Sequence, residues 1–203
     1  MSGDELRIAR RSIPDGRLQR AERSRTAIVK ALHDLIGEGS LVPTAQDVAT
    51  RAGVGMRTVF RHFSAMDDLF AELDQLLRAE IQPLLNSQAP TGPLPTRILQ
   101  LAERRAALYE RVGPYLRATR LHHWRSDFLE QQLKATVRDL RHELRQWVPE
   151  LKGRPNVLET LDLLLAFETW DRLRTEQRLG VARALNTLEP LLVQAASELK
   201  RKP

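Results

Sequence analysis

The residues of this chain whose types and spacing could do chemistry are cations and hydrogen-bond donors, and they crowd into one stretch. Between Pro43 and Phe63 stand Thr44, Gln46, Arg57, Thr58, Arg61 and His62. A guanidinium can grip a guanine edge or a phosphate, and a threonine or methionine methyl can meet the methyl of thymine. Bond-making chemistry has no comparable set. The chain has no cysteine, hence no disulfide, no cysteine-based zinc site and no thiol nucleophile. It has no glycine-rich phosphate loop and no metal-spaced cluster. His122 and His123 are adjacent, so on a helix they point to different faces and make no natural chelating pair. Neither an enzyme, nor a bound cofactor, nor a metal is expected.

The stretch itself predicts two short helices and a tight turn. Thr44 is an N-cap residue, and Asp47 three residues later makes a near capping box at the positive end of the helix. Val48, Ala49 and Ala52 form one apolar face, and Gly53 supplies the left-handed position that ends the helix. A second helix opens near Gly55, with Val59 and Phe63 inward at i, i+4. Met56, Arg57, Thr58, Arg61 and His62 point outward, with Phe60 between the faces. Small residues at Ala49 and Gly53 are expected to let the two helices approach closely, as a helix-turn-helix needs. The second helix would enter the major groove with its N-terminal residues leading. The predicted DNA-binding set is therefore Thr44, Gln46, Gly55, Met56, Arg57, Thr58, Phe60, Arg61 and His62. Thr44 and Gln46 suit phosphates, and Arg57 and Arg61 suit guanine edges or phosphates. The competing reading is an ordinary αα-corner in a helical domain.

The run from Ile28 to Leu69 resembles the DNA-binding domain of TetR-type (tetracycline-repressor-like) transcriptional regulators. The resemblance rests on Ile36-Gly37-Glu38-Gly39, on Thr44 to Val54, and on Thr58-Val59-Phe60-Arg61-His62-Phe63. It covers about a fifth of the chain. Phe60 stands where many members carry a tyrosine whose hydroxyl reaches a phosphate, so that contact is lost, and Met66 stands where many carry a lysine, which leaves the backbone N–H groups of that helix N-terminus to hold a phosphate. The segment between the first two helices is one residue short of the pattern, with Pro43 stiffening it.

Composition agrees with a soluble, globular chain: 42% of residues are hydrophobic and 29% charged, and 203 residues can bury a sound core. The N-terminus has no apolar run after its charges and no stretch approaches 18 apolar residues, so a cytoplasmic protein without a membrane partner is expected. The net charge of +6 is unevenly placed. Residues 1–65 hold 11 Lys+Arg against 7 Asp+Glu, a net of +4, and the remaining 138 residues carry only +2. That is the footprint of an end that meets phosphates.

The elements that position the stretch follow from periodicity. The predicted fold is all-α: a flexible basic arm (1–20), a three-helix helix-turn-helix domain (21–66), and a helical ligand-binding and dimerisation domain (67–203). The arm either reaches a minor groove or is a solvated tail. Ile28, Leu32, Leu35 and Ile36 mark a first helix from about Ala21 to Ile36. Leu69, Phe70, Leu73, Leu76 and Leu77 mark one opening at Asp67-Asp68, and residues 86–96 read as a loop. Ile98 to Val112 is expected to end at Gly113, with Pro114 starting a short successor. Phe128 to Trp147 reads as a long helix. Val157 to Leu173 is apolar on nearly every side, which predicts burial on every side. A last helix runs from Val181 to Leu199, kinked or split by Pro190, since an interior proline costs about 3 kcal/mol.

The resemblance implies a homodimer through the last two helices, and Leu161, Leu165, Trp170, Leu185, Leu188 and Leu192 are the expected interface residues. Both helices closing a monomeric core is the alternative. It also implies a small-molecule effector pocket, with Trp124, Trp147, Phe167, Glu168 and Trp170 as candidate lining residues, although a core role suits each aromatic. The function expected is a sequence-specific DNA-binding transcriptional regulator, a dimeric repressor released from a pseudo-palindromic operator by a ligand. The alternative is an architectural or protein-recruiting factor of the same fold without an inducer.

Overall fold

The computed structural model describes residues 16–85 and 90–200. Most of the expected arm, residues 1–15, and the loop residues 86–89 lie outside the described residues. No strand occurs among the described residues, and no helix there is long and apolar enough to cross a membrane.

The first helix, α1 (Gly16–Gly37), starts five residues earlier than its apolar stripe announces. Its opening turns are exposed and carried by Arg, Leu and Gln, good helix formers that leave no apolar period to read. Residues 16–20 are thus helix rather than arm. Ile28, Val29, Ala31, Leu32 and Ile36 are buried on its inner face. Across that face lie α2 (Ala45–Ala52) and α3 (Met56–His62), which bury Val48, Ala49 and Val59. α4 (Met66–Leu85) closes the head with Leu69, Phe70 and Leu73. Asp68 starts it by accepting from the Ala65 N–H at 3.1 Å and the Ser64 hydroxyl at 2.5 Å.

The body is built around α5 (Leu94–His122). The break expected at Gly113-Pro114 is absent: the helix runs through both. Val112, Gly113, Tyr115 and Ala118 are all buried, so packing on either side of the proline holds a helix that local propensity would end. Gly113 faces Phe167 with room for a methyl group, since a Cβ there would sit in ordinary contact 3.5 Å from the ring. A 3-10 turn (His123–Arg125) leads to α6 (Asp127–Trp147), capped by the Ser126 hydroxyl, which accepts from Leu129 N–H at 3.2 Å.

The apolar run from Val157 to Leu173 is not one helix. α7 (Pro155–Leu164) stops, Ala166 is extended at φ −72°, ψ 154°, and α8 (Phe167–Asp171) begins a new turn that passes into a π-helical turn at Arg172–Glu176. The donors that make the break come from α5. Arg105 Nη1 and the Tyr109 hydroxyl both donate to Leu165 O, at 3.2 and 2.9 Å. α9 (Val181–Ser197) remains a single helix with Pro190 inside it, and its Ala184, Leu188, Leu192, Ala195 and Ala196 are buried.

Head and body meet along one seam. The Tyr115 hydroxyl donates to His33 O at 3.3 Å and its ring stacks on His33 at 5.1 Å. Gly37 gives the contact its room, because a Cβ would lie a tight 3.2 Å from that hydroxyl. His122 Nε2 lies 3.2 Å from Leu41 O, and the Ser126 hydroxyl donates to Asp67 at 2.8 Å.

Candidate nucleic-acid interface and body cavity

The N-terminus of α2 carries a complete capping box. The Asp47 N–H donates to Thr44 Oγ1 at 3.2 Å, while the Thr44 N–H and hydroxyl donate to Asp47 Oδ2 at 2.8 and 2.6 Å. These bonds to Thr44 hold the Asp47 carboxyl below the usual carboxylate range. They also engage both donors of Thr44, so its expected phosphate contact would require opening the box. Gln46 spends one amide N–H on Thr50 Oγ1 at 3.2 Å and keeps the other. At the far end Gly53 adopts φ 66°, ψ 32°, and Val54 N–H returns to Ala49 O at 3.0 Å. A side chain at Gly53 would meet nothing within 4 Å. The glycine is therefore required by its left-handed backbone and not, as expected, by close packing.

α3 then presents two unlike faces. Val59 and Phe63 are buried, whereas Met56 is 40% and Phe60 49% exposed. Phe60 therefore belongs to the outward face rather than between faces. Arg57 and Arg61, one turn apart, are exposed on the same helix, and neither forms an ion pair among the described residues. Thr58 is half-buried. Gly55 caps the helix through its carbonyl, which accepts from Thr58 and Val59 N–H groups at 2.8 and 3.3 Å.

His62 departs from the expected outward orientation. Its Nε2 is buried without a hydrogen-bond partner. Burial, then the nearby Arg61 and Arg25, push its pKa below the ordinary histidine value. A neutral, inward imidazole is poorly placed for a phosphate. The residue that takes hold of this end of α3 is Arg25, which the sequence reading missed. Arg25 Nη1 donates to His62 O at 3.1 Å, its Nη2 pairs with Glu72 at 2.6 Å, and its guanidinium lies 4.5 Å over the Phe63 ring. One side chain thus ties α1, the end of α3, and α4 together. Its only sequence signal is a cation one turn ahead of Ile28, flanking the apolar stripe.

In the body, the expected lining residues divide. Phe167 and Glu168 border a cavity of about 60 Å³ between α5, α6 and the α7–α8 break, facing Arg105, Tyr109, Arg120 and Val137. Trp124 does not: it is 67% exposed, its Nε1 donating to Leu121 O at 3.0 Å. Trp147 is buried at the end of α6, with Arg104 5.5 Å over its ring. Trp170 is buried and donates to Glu110 at 2.9 Å. Trp147 and Trp170 take the core role that the sequence also suited, and Trp124 takes neither role. Arg105, only 2% exposed, was not anticipated at all. It is matched by Glu143 at 3.2 Å and by the carbonyls of Leu165 and Leu140. Burial raises the Tyr109 hydroxyl beside it to about 12.

The expected interface residues need a similar correction. Leu161, Leu165, Trp170, Leu188 and Leu192 are buried within their own protomer, and of the six only Leu185 is half-exposed. These side chains belong to the chain's own core. What α7 and α9 leave outside are Leu163 at 66%, Val181 at 38%, Leu191 at 45% and Val193 at 37% exposed.

Three comparisons bear on this geometry. Residues 28–73 match the family model described as bacterial regulatory proteins, tetR family. An HTH-type transcriptional repressor of Mycobacterium tuberculosis is 37% identical over 82 residues, which is 40% of this chain and 42% of that protein. An HTH-type transcriptional regulator of Mycobacterium bovis matches to the same extent. The match therefore spans less than half the length of these curated relatives. A transcriptional regulator of Rhodococcus sp. Rha1 has the same fold, with a TM-score of 0.63 at 20% identity over 90% of this chain and 99% of that one.

Proposed function

From the premise that this chain is a TetR-family transcriptional regulator, carrying that family's helix-turn-helix in residues 28–73, we propose that it is a dimeric, operator-specific repressor released by a small ligand. One observation carries the DNA-reading half: Val59 and Phe63 are buried while Arg57 and Arg61 stand exposed on α3 with no ion pair among the described residues. Exposed guanidinium groups one turn apart on a short, well-anchored helix suit the major groove. Met56 and Phe60 add apolar contact for thymine methyls, and Gln46 with the free N–H groups at the start of α2 suits a phosphate. Gly55 lets the backbone approach.

Dimerisation is proposed through the outer faces of α7 and α9, where Leu163, Leu191 and Val193 lack cover. Exposed apolar side chains on a helix pair suit a self-complementary two-fold contact. Such a dimer sets two recognition helices roughly 34 Å apart, or a multiple of that, and so reads an inverted repeat. The division proposed is a head through residue 66 for DNA and a body from residue 67 for ligand and partner, with α4 packed on both, against α1 on one side and α5 and α6 on the other.

The test is selection of bound sequences from a random duplex pool at two salt concentrations. An enriched inverted repeat, with half-sites about one helical turn apart, is the expected result. Weak, sequence-indifferent binding that collapses with salt would remove the repressor and leave the protein-recruiting, architectural reading.

A further inference from the structure

The cavity at the α7–α8 break holds a built-in answer to what the ligand is. Its wall carries two guanidinium groups that differ in how firmly they are committed. Arg105 is buried, with Glu143 and two backbone carbonyls around it, so it is part of the frame. Arg120 lies 4.7 Å over the Phe167 ring with its side chain 26% exposed, and its partner Glu168 is 62% exposed. An ion pair with one partner that open to water contributes little, and the carboxylate can swing out at small cost. Arg120 cannot leave as easily, because the Phe167 face holds it. The Glu168 carboxylate thus sits on the arginine as an exchangeable anion. Leu133, Val137 and Phe167 supply an apolar wall beside it.

We infer that this cavity binds a small organic carboxylate, whose anionic end replaces Glu168 on Arg120 and whose apolar body lies against Phe167, Leu133 and Val137. This rests on the reading of the protein as a ligand-responsive regulator. Size follows from the space present. About 60 Å³ admits about four to six water-sized groups, and the departing Glu168 carboxylate adds room for a few atoms more. The ligand is a monocarboxylate of benzoate size. The chemistry at Arg120 also has a route to the head. The Arg120 carbonyl lies 2.7 Å from His123 Nδ1, and the next residues make two of the seam contacts, His122 to Leu41 and Ser126 to Asp67. A ligand that draws Arg120 inward repositions this corner, and it acts by favouring one of two head–body arrangements.

The experiment is calorimetric titration of the full-length protein with monocarboxylates of three to ten carbons, benzoate and phenylacetate included, against benzamide and benzylamine. Carboxylates should bind and the neutral and cationic probes should not. Glu168→Gln, which removes the competing anion from an exposed position, should tighten carboxylate binding several-fold. Arg120→Met, which keeps the apolar stem on Phe167, should weaken it at least tenfold. If no carboxylate binds, or if benzylamine binds and Glu168→Gln abolishes it, the inference falls. Operator binding measured on the same preparation separates the two levels. Carboxylate binding without any operator preference would keep the site and remove the repressor. Intact operator binding with no carboxylate response would do the reverse.

Discussion

Arg57 in the head and Arg105 in the body carry the same guanidinium, and their surroundings are opposite. Arg57 is exposed on α3 with no ion pair among the described residues. Arg105 is 2% exposed on α5, its donors directed to Glu143, Leu165 and Leu140. A buried charge must be matched inside the fold, because stripping its water is expensive. An exposed one costs nothing to leave open and is available to a partner. The recognition helix therefore keeps Arg57 and Arg61 open for something outside the chain, whereas Arg105 is spent on shaping the body, including the break between α7 and α8. Arg120 lies between these extremes: partly covered, and paired with a carboxylate that can leave.

The contrast can be broken in order of size. Replacing Arg105 with Met takes a guanidinium from Glu143, which keeps Arg104 at 2.9 Å, and a donor from Leu165 O and Leu140 O; each charge-assisted hydrogen bond lost costs about 1.5–3 kcal/mol. Urea unfolding of the variant should show it, while the protein that remains folded keeps its operator affinity. Arg57→Ala should do the opposite. Specific binding falls by about 1–3 kcal/mol with one base position relaxed, and the melting temperature does not move. Equal losses on specific and random duplexes would instead make Arg57 a phosphate contact. If both substitutions changed stability alike, the division between the two regions would be wrong.

Smaller effects test the frame under α3. Thr44→Ala removes the cap of α2 and should cost about 1 kcal/mol of stability. The same box has a pH signature. Asp47 is held below its ordinary value of 3.8, so its contribution is complete above that value and is lost as pH falls through the lowered one. Asp47→Asn should flatten this part of the acid limb in a melting-temperature series from pH 6 to pH 2, and an unchanged limb would show that the box is not formed. The smallest effect is a gain. Phe60 is 49% exposed, so Phe60→Tyr restores a hydroxyl on the outward face without disturbing the core. One added phosphate hydrogen bond should improve operator affinity by about 0.5–1.5 kcal/mol, with the slope of affinity against salt nearly unchanged because no charge is added.

Legibility followed the range of the interactions. Thr44, Asp47, Gly53, Val59 and Phe63 were readable because caps, left-handed turns and i, i+4 faces are decided within a few residues of themselves. The all-helical body was readable from period alone. Arg25 was not, because its partners His62 and Glu72 are 37 and 47 residues away. The break at Leu165 was not, because that run contains neither Gly nor Pro. It is made by donors on α5, 60 and 56 residues earlier.

The sequence by itself therefore determined the helix-turn-helix, its outward arginines and the helical class of the chain. Each depends on local backbone preference and on the spacing of apolar side chains. Only the tertiary structure decided that α5 passes through Gly113-Pro114, that Leu161, Leu165, Leu188 and Leu192 serve their own core, and that His62 turns inward. It also decided that Arg120 and Glu168, 48 residues apart, meet at the mouth of a cavity. Those outcomes depend on which helix faces come together, and a buried polar group takes the partner that the packing brings to it.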